Sequence, residues 1–224
     1  MVNNVETSSG FQQALGGLAE AIASRKIEPI CTSYLALRRE ARGMKVAELL
    51  DRVDKASENG ARSVIISAFS HRRCYMCEDG TTTCQSCKGT GASGGSACSQ
   101  CDGLGVETCS FCMGRGWSDR GETPAEIREA VLKRQIAHLE KGIQRLAKVG
   151  RNSWESASQL PAERKTELAS WLVRLHARLT DVAQSISSNG DDRAARYGAL
   201  AGQVDKLIAA LRVESDYNLS DEDV

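Results

Sequence analysis

Cys74-Tyr-Met-Cys77, Cys84-Gln-Ser-Cys87, Cys98-Ser-Gln-Cys101 and Cys109-Ser-Phe-Cys112 follow one another in a single stretch of the chain. Three of the pairs continue alike: Cys87-Lys-Gly89-Thr-Gly91, Cys101-Asp-Gly103-Leu-Gly105 and Cys112-Met-Gly114-Arg-Gly116. After Cys77 the pattern is broken, with Glu78, Asp79 and Gly80 in its place. Two thiolates two residues apart can hold one ion from a single tight turn, and a second turn completes a tetrahedron. Glycines just beyond the second cysteine allow positive φ, so backbone amides can turn toward the sulfurs. Four pairs are enough for two closed four-cysteine sites, which predicts two structural Zn2+ ions. Nothing marks the chain as secreted, so metal is favoured over disulfides. A redox Cys-x-x-Cys would be a single pair beside a βαβ unit, and no such unit precedes these. The spacing leaves nested and adjacent pairing of the four turns both open.

These repeats resemble the cysteine-rich domain of the DnaJ (Hsp40) chaperones, marked by four Cys-x-x-Cys-x-Gly-x-Gly units. The resemblance covers only the cysteine-rich stretch and implies nested sites. Cys74, Cys77, Cys109 and Cys112 would hold one zinc, and Cys84, Cys87, Cys98 and Cys101 the other. It also implies a chaperone-like or assembly factor that binds a polypeptide client or partner. No His-Pro-Asp of a J domain occurs in the sequence, so direct stimulation of an Hsp70 ATPase is not expected. Late-gene antiterminators of lambdoid phages (the Q proteins) also place such knuckles between helical segments, and Gly116-Trp117-Ser118 leading into a helix is loosely similar. That makes a transcription or nucleic-acid regulator the alternative, with an oligomeric scaffold as a third reading.

Outward from the cysteines, both flanks read as helical. Aromatics are 4% of the 224 residues, so the core must come from aliphatic side chains, which suits helices. Phe11, Leu15, Leu18 and Ile22 form an apolar stripe behind a capping box at Ser9 and Gln12. Ile30, Tyr34, Leu37 and Ala41 repeat it after Pro29, and Leu49, Leu50 and Val53 a third time before Asn59-Gly60. Ala61 to Phe69 fits a strand or a buried helix equally. Cys31 falls on an apolar face and reads as a small buried hydrophobe. His71 reads as a surface residue. Ala92 to Ala97 reads as a flexible spacer. Gly89, Gly91 and Gly94 match a dinucleotide fingerprint in letters, without the strand and helix it needs.

Thr123-Pro124-Ala125-Glu126 is a helix start, followed by Leu132, Ile136, Leu139, Ile143 and Leu146 up to Gly150. A polar connection with Trp154 leads to Pro161 and the stripe Leu168, Leu172, Leu175, Leu179, Val182 and Ile186. After Asn189-Gly190, Tyr197, Leu200, Val204, Leu207 and Leu211 mark a last helix.

The reading is therefore a mostly α protein: a helical N-terminal region (1–70), a zinc-stabilised β-hairpin and knuckle module (71–118), an antiparallel helical bundle or coiled coil (122–213), and a disordered acidic tail (214–224).

Tyr75, Met76, Phe111, Met113 and Trp117, with Leu104, are the candidate partner-binding side chains on the rigid turns. Arg134, His138, Lys141, Arg145 and Lys148 recur along one helix face, a candidate stripe for an anionic partner set against a plain solvated face. Between His71 and Arg120 the bases Arg72, Arg73, Lys88, Arg115 and Arg120 match the acids Glu78, Asp79, Asp102, Glu107 and Asp119. Two tetrathiolate zincs would leave that region negative, which argues against phosphate binding by the knuckles themselves. Over the whole chain 29 basic residues balance 29 acidic ones. No apolar run approaches a membrane span, and the N-terminus lacks the basic start and apolar core of a signal peptide. A cytoplasmic address, no membrane partner, a homo-oligomer as an option and no enzymatic activity are the remaining expectations. No open metal position, nucleophile elbow or phosphate loop is visible.

Overall fold

The computed structural model describes residues 9–56, 60–77, 79–149, 160–187 and 190–217. They form a mostly α protein with two small antiparallel sheets. The expected polar connection around Trp154 lies outside the described residues. Two compact units divide the chain: residues 1–72 with 119–135, and residues 73–118 with 136–224.

The first unit holds α1 (Ser9–Ser24), α2 (Ile27–Glu40), α3 (Val46–Ala56) and α4 (Ala61–His71). It also takes the first part of α5 (Ala125–Val149). The stretch left open between strand and helix is α4. Its β-branched run favours a strand locally, but Ala61, Ile65, Ala68 and Phe69 share one buried side, a helical spacing that the surrounding helices reward. Phe11, Leu18, Cys31, Tyr34, Leu37, Leu49 and Ile65 are fully buried in this unit's core. Ile127 and Val131 of α5 join them. The Tyr34 hydroxyl donates to Glu126 at 3.1 Å, and Arg38 pairs with the same carboxylate at 2.5 Å. Glu126, in the first turn of α5, is thus drawn to α2. Ser9 is already helical, so it does not stand outside the helix as the expected cap.

The second unit is the cysteine-rich module with the rest of α5, α6 (Ala162–Ser187) and α7 (Arg193–Tyr217). Leu172, Leu175, Leu179, Val182 and Ile186 of α6 are buried, as are Tyr197, Ala201, Val204, Ile208 and Leu211 of α7. Glu140 of α5 accepts hydrogen bonds from Tyr197 and Arg196 at 2.5 and 3.2 Å. Residues 214–217, expected to open a disordered tail, continue α7, and the remainder of that tail lies outside the described residues. Among the described residues, no helix is long and apolar enough to cross a membrane.

Within the cysteine-rich module β1 (Thr81–Thr83) pairs antiparallel with β4 (Val106–Thr108), in the register Thr81 to Thr108. β2 (Ala92–Ser93) pairs with β3 (Ser96–Ala97). The expected flexible spacer is therefore a hairpin. Gly94 and Gly95 sit at its tip with φ of 64° and 83°, the two positive values that a tight hairpin turn needs.

Candidate metal centre

β1 and β4 bring the first and fourth Cys-x-x-Cys turns together, and the hairpin between them brings the second and third together. The backbone enforces this nesting. Cys74 N–H donates to the Gly116 carbonyl at 3.2 Å and Cys109 N–H to Gly80 at 2.9 Å. Likewise Cys84 N–H reaches Gly105 at 3.0 Å and Cys98 N–H reaches Gly91 at 2.8 Å. The same four glycines donate to sulfur: Gly91 to Cys87, Gly105 to Cys101 and Gly116 to Cys112, at 3.2 to 3.3 Å, and Gly80 to Cys77 at 3.3 Å.

Gly80 therefore stands in for the second glycine of the other repeats, one residue early. Asp79 takes the place of the first. A Cβ on Gly80 would lie 2.1 Å from the Gly114 carbonyl oxygen, and one on Gly91 2.4 Å from that of Gly103. The two turns of each site are packed so closely that only glycine fits between them.

Cys74, Cys77, Cys109 and Cys112 form one group, and Cys84, Cys87, Cys98 and Cys101 the other. In each group the sulfurs all lie within 4.8 Å of one another. The Cys77–Cys112, Cys84–Cys98 and Cys87–Cys101 separations are 3.6, 3.8 and 3.7 Å. A tetrahedron with Zn–S arms of about 2.3 Å has edges of about 3.8 Å, whereas a disulfide would close to about 2.05 Å. None of the nine cysteines is in a disulfide. Each group is able to bind one metal ion, and the pair fits two structural Zn2+. Seven of the eight ligands are buried and Cys77 is half-buried.

The local field favours thiolates at Cys87 and Cys98 of the inner group and at Cys109 of the outer one. Burial pushes Cys98 up, but the N–H groups of Gln100 and Cys101 outweigh it and hold the thiol at about 6. At Cys109 burial is outweighed in the same way by the N–H groups of Cys112 and Phe111, giving about 7.

One face of α6 lies along this module at every fourth residue. Thr166 donates to the Gly89 carbonyl at 3.3 Å, and Ser170 shares a 2.7 Å hydrogen bond with Thr81. Arg174 forms an ion pair with Asp79 and donates to its carbonyl. Arg178 donates through Nε to the Arg115 carbonyl at 2.7 Å, and Arg115 pairs with Asp181 at 3.0 Å. Burial, then the neighbouring Arg174 charge, pushes the Arg178 guanidinium down to about 10. Sequence reasoning missed this face, although Thr166, Ser170, Arg174 and Arg178 recur at a helical spacing away from the leucine stripe.

The predicted partner-binding side chains divide. Tyr75, Met76, Phe111 and Met113 are exposed at 72, 58, 46 and 68%. Tyr75 and Phe111 meet edge to face, ring centres 4.6 Å apart. Trp117 does not belong with them. It is 5% exposed, with the Arg178 guanidinium 4.3 Å from its ring centre, and Leu104 is buried too.

The predicted cationic stripe also divides. Arg134 donates to Ser63 at 2.8 Å in the first unit. Lys141 and Arg145 line a cleft of the second unit, and the side chain of Lys148 lies outside the described residues. His71 rests with Nδ1 2.8 Å from the Ser67 carbonyl, outside both cysteine groups.

Comparison of the chain with protein-family models, with curated proteins and with solved structures gives no match.

Proposed function

We propose that this chain is a non-enzymatic zinc protein that binds polypeptide through the outer pair of turns, as a chaperone-like or assembly factor of the kind its DnaJ-like repeats imply. One contrast carries the reading. The turns of the outer site present Tyr75, Met76, Phe111 and Met113 to solvent. At the matching positions the inner site presents Gln85, Ser86, Gln100 and Asp102, all exposed and polar. The folding of the knuckles does not require large apolar tips, since the inner site does without them.

Aromatic and Met side chains on a rigid surface are the composition of protein-binding patches. Ions holding both turns fixed would keep the ordering cost of binding low. Four thiolates at each site leave no coordination position for a substrate, which supports a non-catalytic role.

The test uses the zinc-loaded full chain with a chemically denatured client whose aggregation is followed by light scattering. Suppression is expected, and Tyr75→Ser/Phe111→Ser should lose it while keeping two zinc ions per chain. Suppression that persists in this variant would overturn the assignment to the outer turns. Trp117 is unsuitable for the purpose, because its burial makes any loss a folding defect.

A further inference from the structure

Lys141 and Arg145 on α5 stand across a cleft of about 260 Å3 from Arg174 and Arg178 on α6, with His138 and Trp171 in its walls. The lining contains no carboxylate. The α6 arginines have local counter-charges. Together with Arg73 and Arg115 they are four cations near the outer site, facing Asp79, Asp181 and the two negative charges of a tetrathiolate zinc. That set is neutral by formal count.

Lys141 and Arg145 lie outside it and are exposed, so the mouth of the cleft keeps a positive surplus. The Arg145 guanidinium sits 5.4 Å from the centre of the half-buried Trp171 ring. Cations beside an aromatic plane suit a phosphate next to a planar base. A carboxylate-rich peptide would use the cations and leave the indole without a role. The volume lies just below the ~300–1,000 Å3 found for small-ligand sites, which favours one nucleotide unit over a duplex.

We propose that this cleft binds a nucleotide, its phosphate at Lys141 and Arg145 and its base beside Trp171, supplied either free or as one unit of a single strand. The site is separate from the turns assigned to polypeptide, and either assignment can fail without the other.

The experiment is fluorescence anisotropy of the zinc-loaded full chain with a labelled short oligothymidylate and, in a second arm, labelled adenosine triphosphate. Saturable binding is expected at about 50 mM salt, weakening as salt is raised. Lys141→Glu/Arg145→Glu should reduce affinity by roughly tenfold or more and lower the salt slope for the strand by about 0.7, the share of the one phosphate released. Trp171→Leu should weaken binding several-fold without changing that slope. Binding in the first arm alone assigns a strand, in the second alone a free nucleotide, and either supports the site. Three results would overturn it: no binding in both arms at low salt, charge-reversed protein that binds like the parent, or displacement by polyglutamate as effective as displacement by unlabelled oligonucleotide. The two exposed substitutions do not touch the buried core, and unchanged zinc content and melting temperature confirm that the variant is folded.

Discussion

Gly91 and Gly94 separate two costs that a knuckle places on its glycines. Both have positive φ, 77° and 64°, and a residue with a Cβ loses about 1–2 kcal/mol in that region. At Gly94 nothing lies within 4 Å of a built Cβ, whereas at Gly91 the Gly103 carbonyl oxygen is 2.4 Å away. Gly94→Ala should therefore lower stability by about 1 kcal/mol and keep both zincs. Gly91→Ala must push the third turn away from the second, and the inner sulfurs with it. Zinc content after dialysis against a mild chelator is expected to fall toward one ion per chain for Gly91→Ala alone. Equal zinc content in the two variants would show that the close approach of the turns does not set affinity.

Asp79 permits a second residue-scale prediction. Its carboxylate pairs with Arg174 but is 54% exposed, so Asp79→Ala should cost no more than about 1 kcal/mol in urea unfolding. The cysteine turns were legible because their information lies within a few neighbouring residues. The role of Asp79 was not, since its partner is far along the chain.

Elements show the same division between local and distant information. The α6 leucines were legible from periodicity alone: Leu172, Leu175 and Leu179 are buried as expected, while Leu168 is half-covered and Ala169 beside it is buried. The opposite face, Thr166, Ser170, Arg174 and Arg178, carries no apolar signal, yet it lies on the knuckles. On α5 the stripe was read from Leu132 onward. In the structure Ile127 and Val131 are buried earlier and Leu132 is only half-covered, because the first part of the helix belongs to a different unit from the rest. A single period cannot announce a change of partner midway.

Trp117 illustrates the consequence for function. An aromatic beside a zinc turn looks like a binding residue until Arg178 is seen against its ring. Trp117→Ala should therefore act on stability, by about 3–5 kcal/mol in the second unit. Arg178→Ala should remove the stacking cation with a smaller loss. Urea unfolding monitored in the zinc-loaded protein checks both. A Trp117→Ala protein as stable as its parent would return the residue to the exposed class.

At the scale of the molecule, the first unit and the cysteine-rich module differ in what stands at their centres. The first has an aliphatic and aromatic core reaching from Phe11 to Val131. The apolar clusters of the cysteine module consist of the ligand cysteines themselves. There the metal replaces a core, and in small zinc modules the binding free energy is folding free energy. Chelation is therefore expected to unfold residues 73–118 and leave the first unit intact.

Cys31 reports on this directly. It is fully buried in the first unit, and burial pushes its thiol up to about 12. At about pH 8, where an ordinary free thiol of pKa near 8.5 is partly ionised, Cys31 stays neutral and shielded. The stability tied to this neutral form is complete below about 8.5 and is lost as the pH rises toward the folded value. Alkylation with excess chelator, read by mass spectrometry of peptides, should label the eight knuckle cysteines and spare Cys31. Labelling of Cys31 at the same rate as Cys84 or Cys109 would mean that both units depend on the metal, and that the first core does not stand without it.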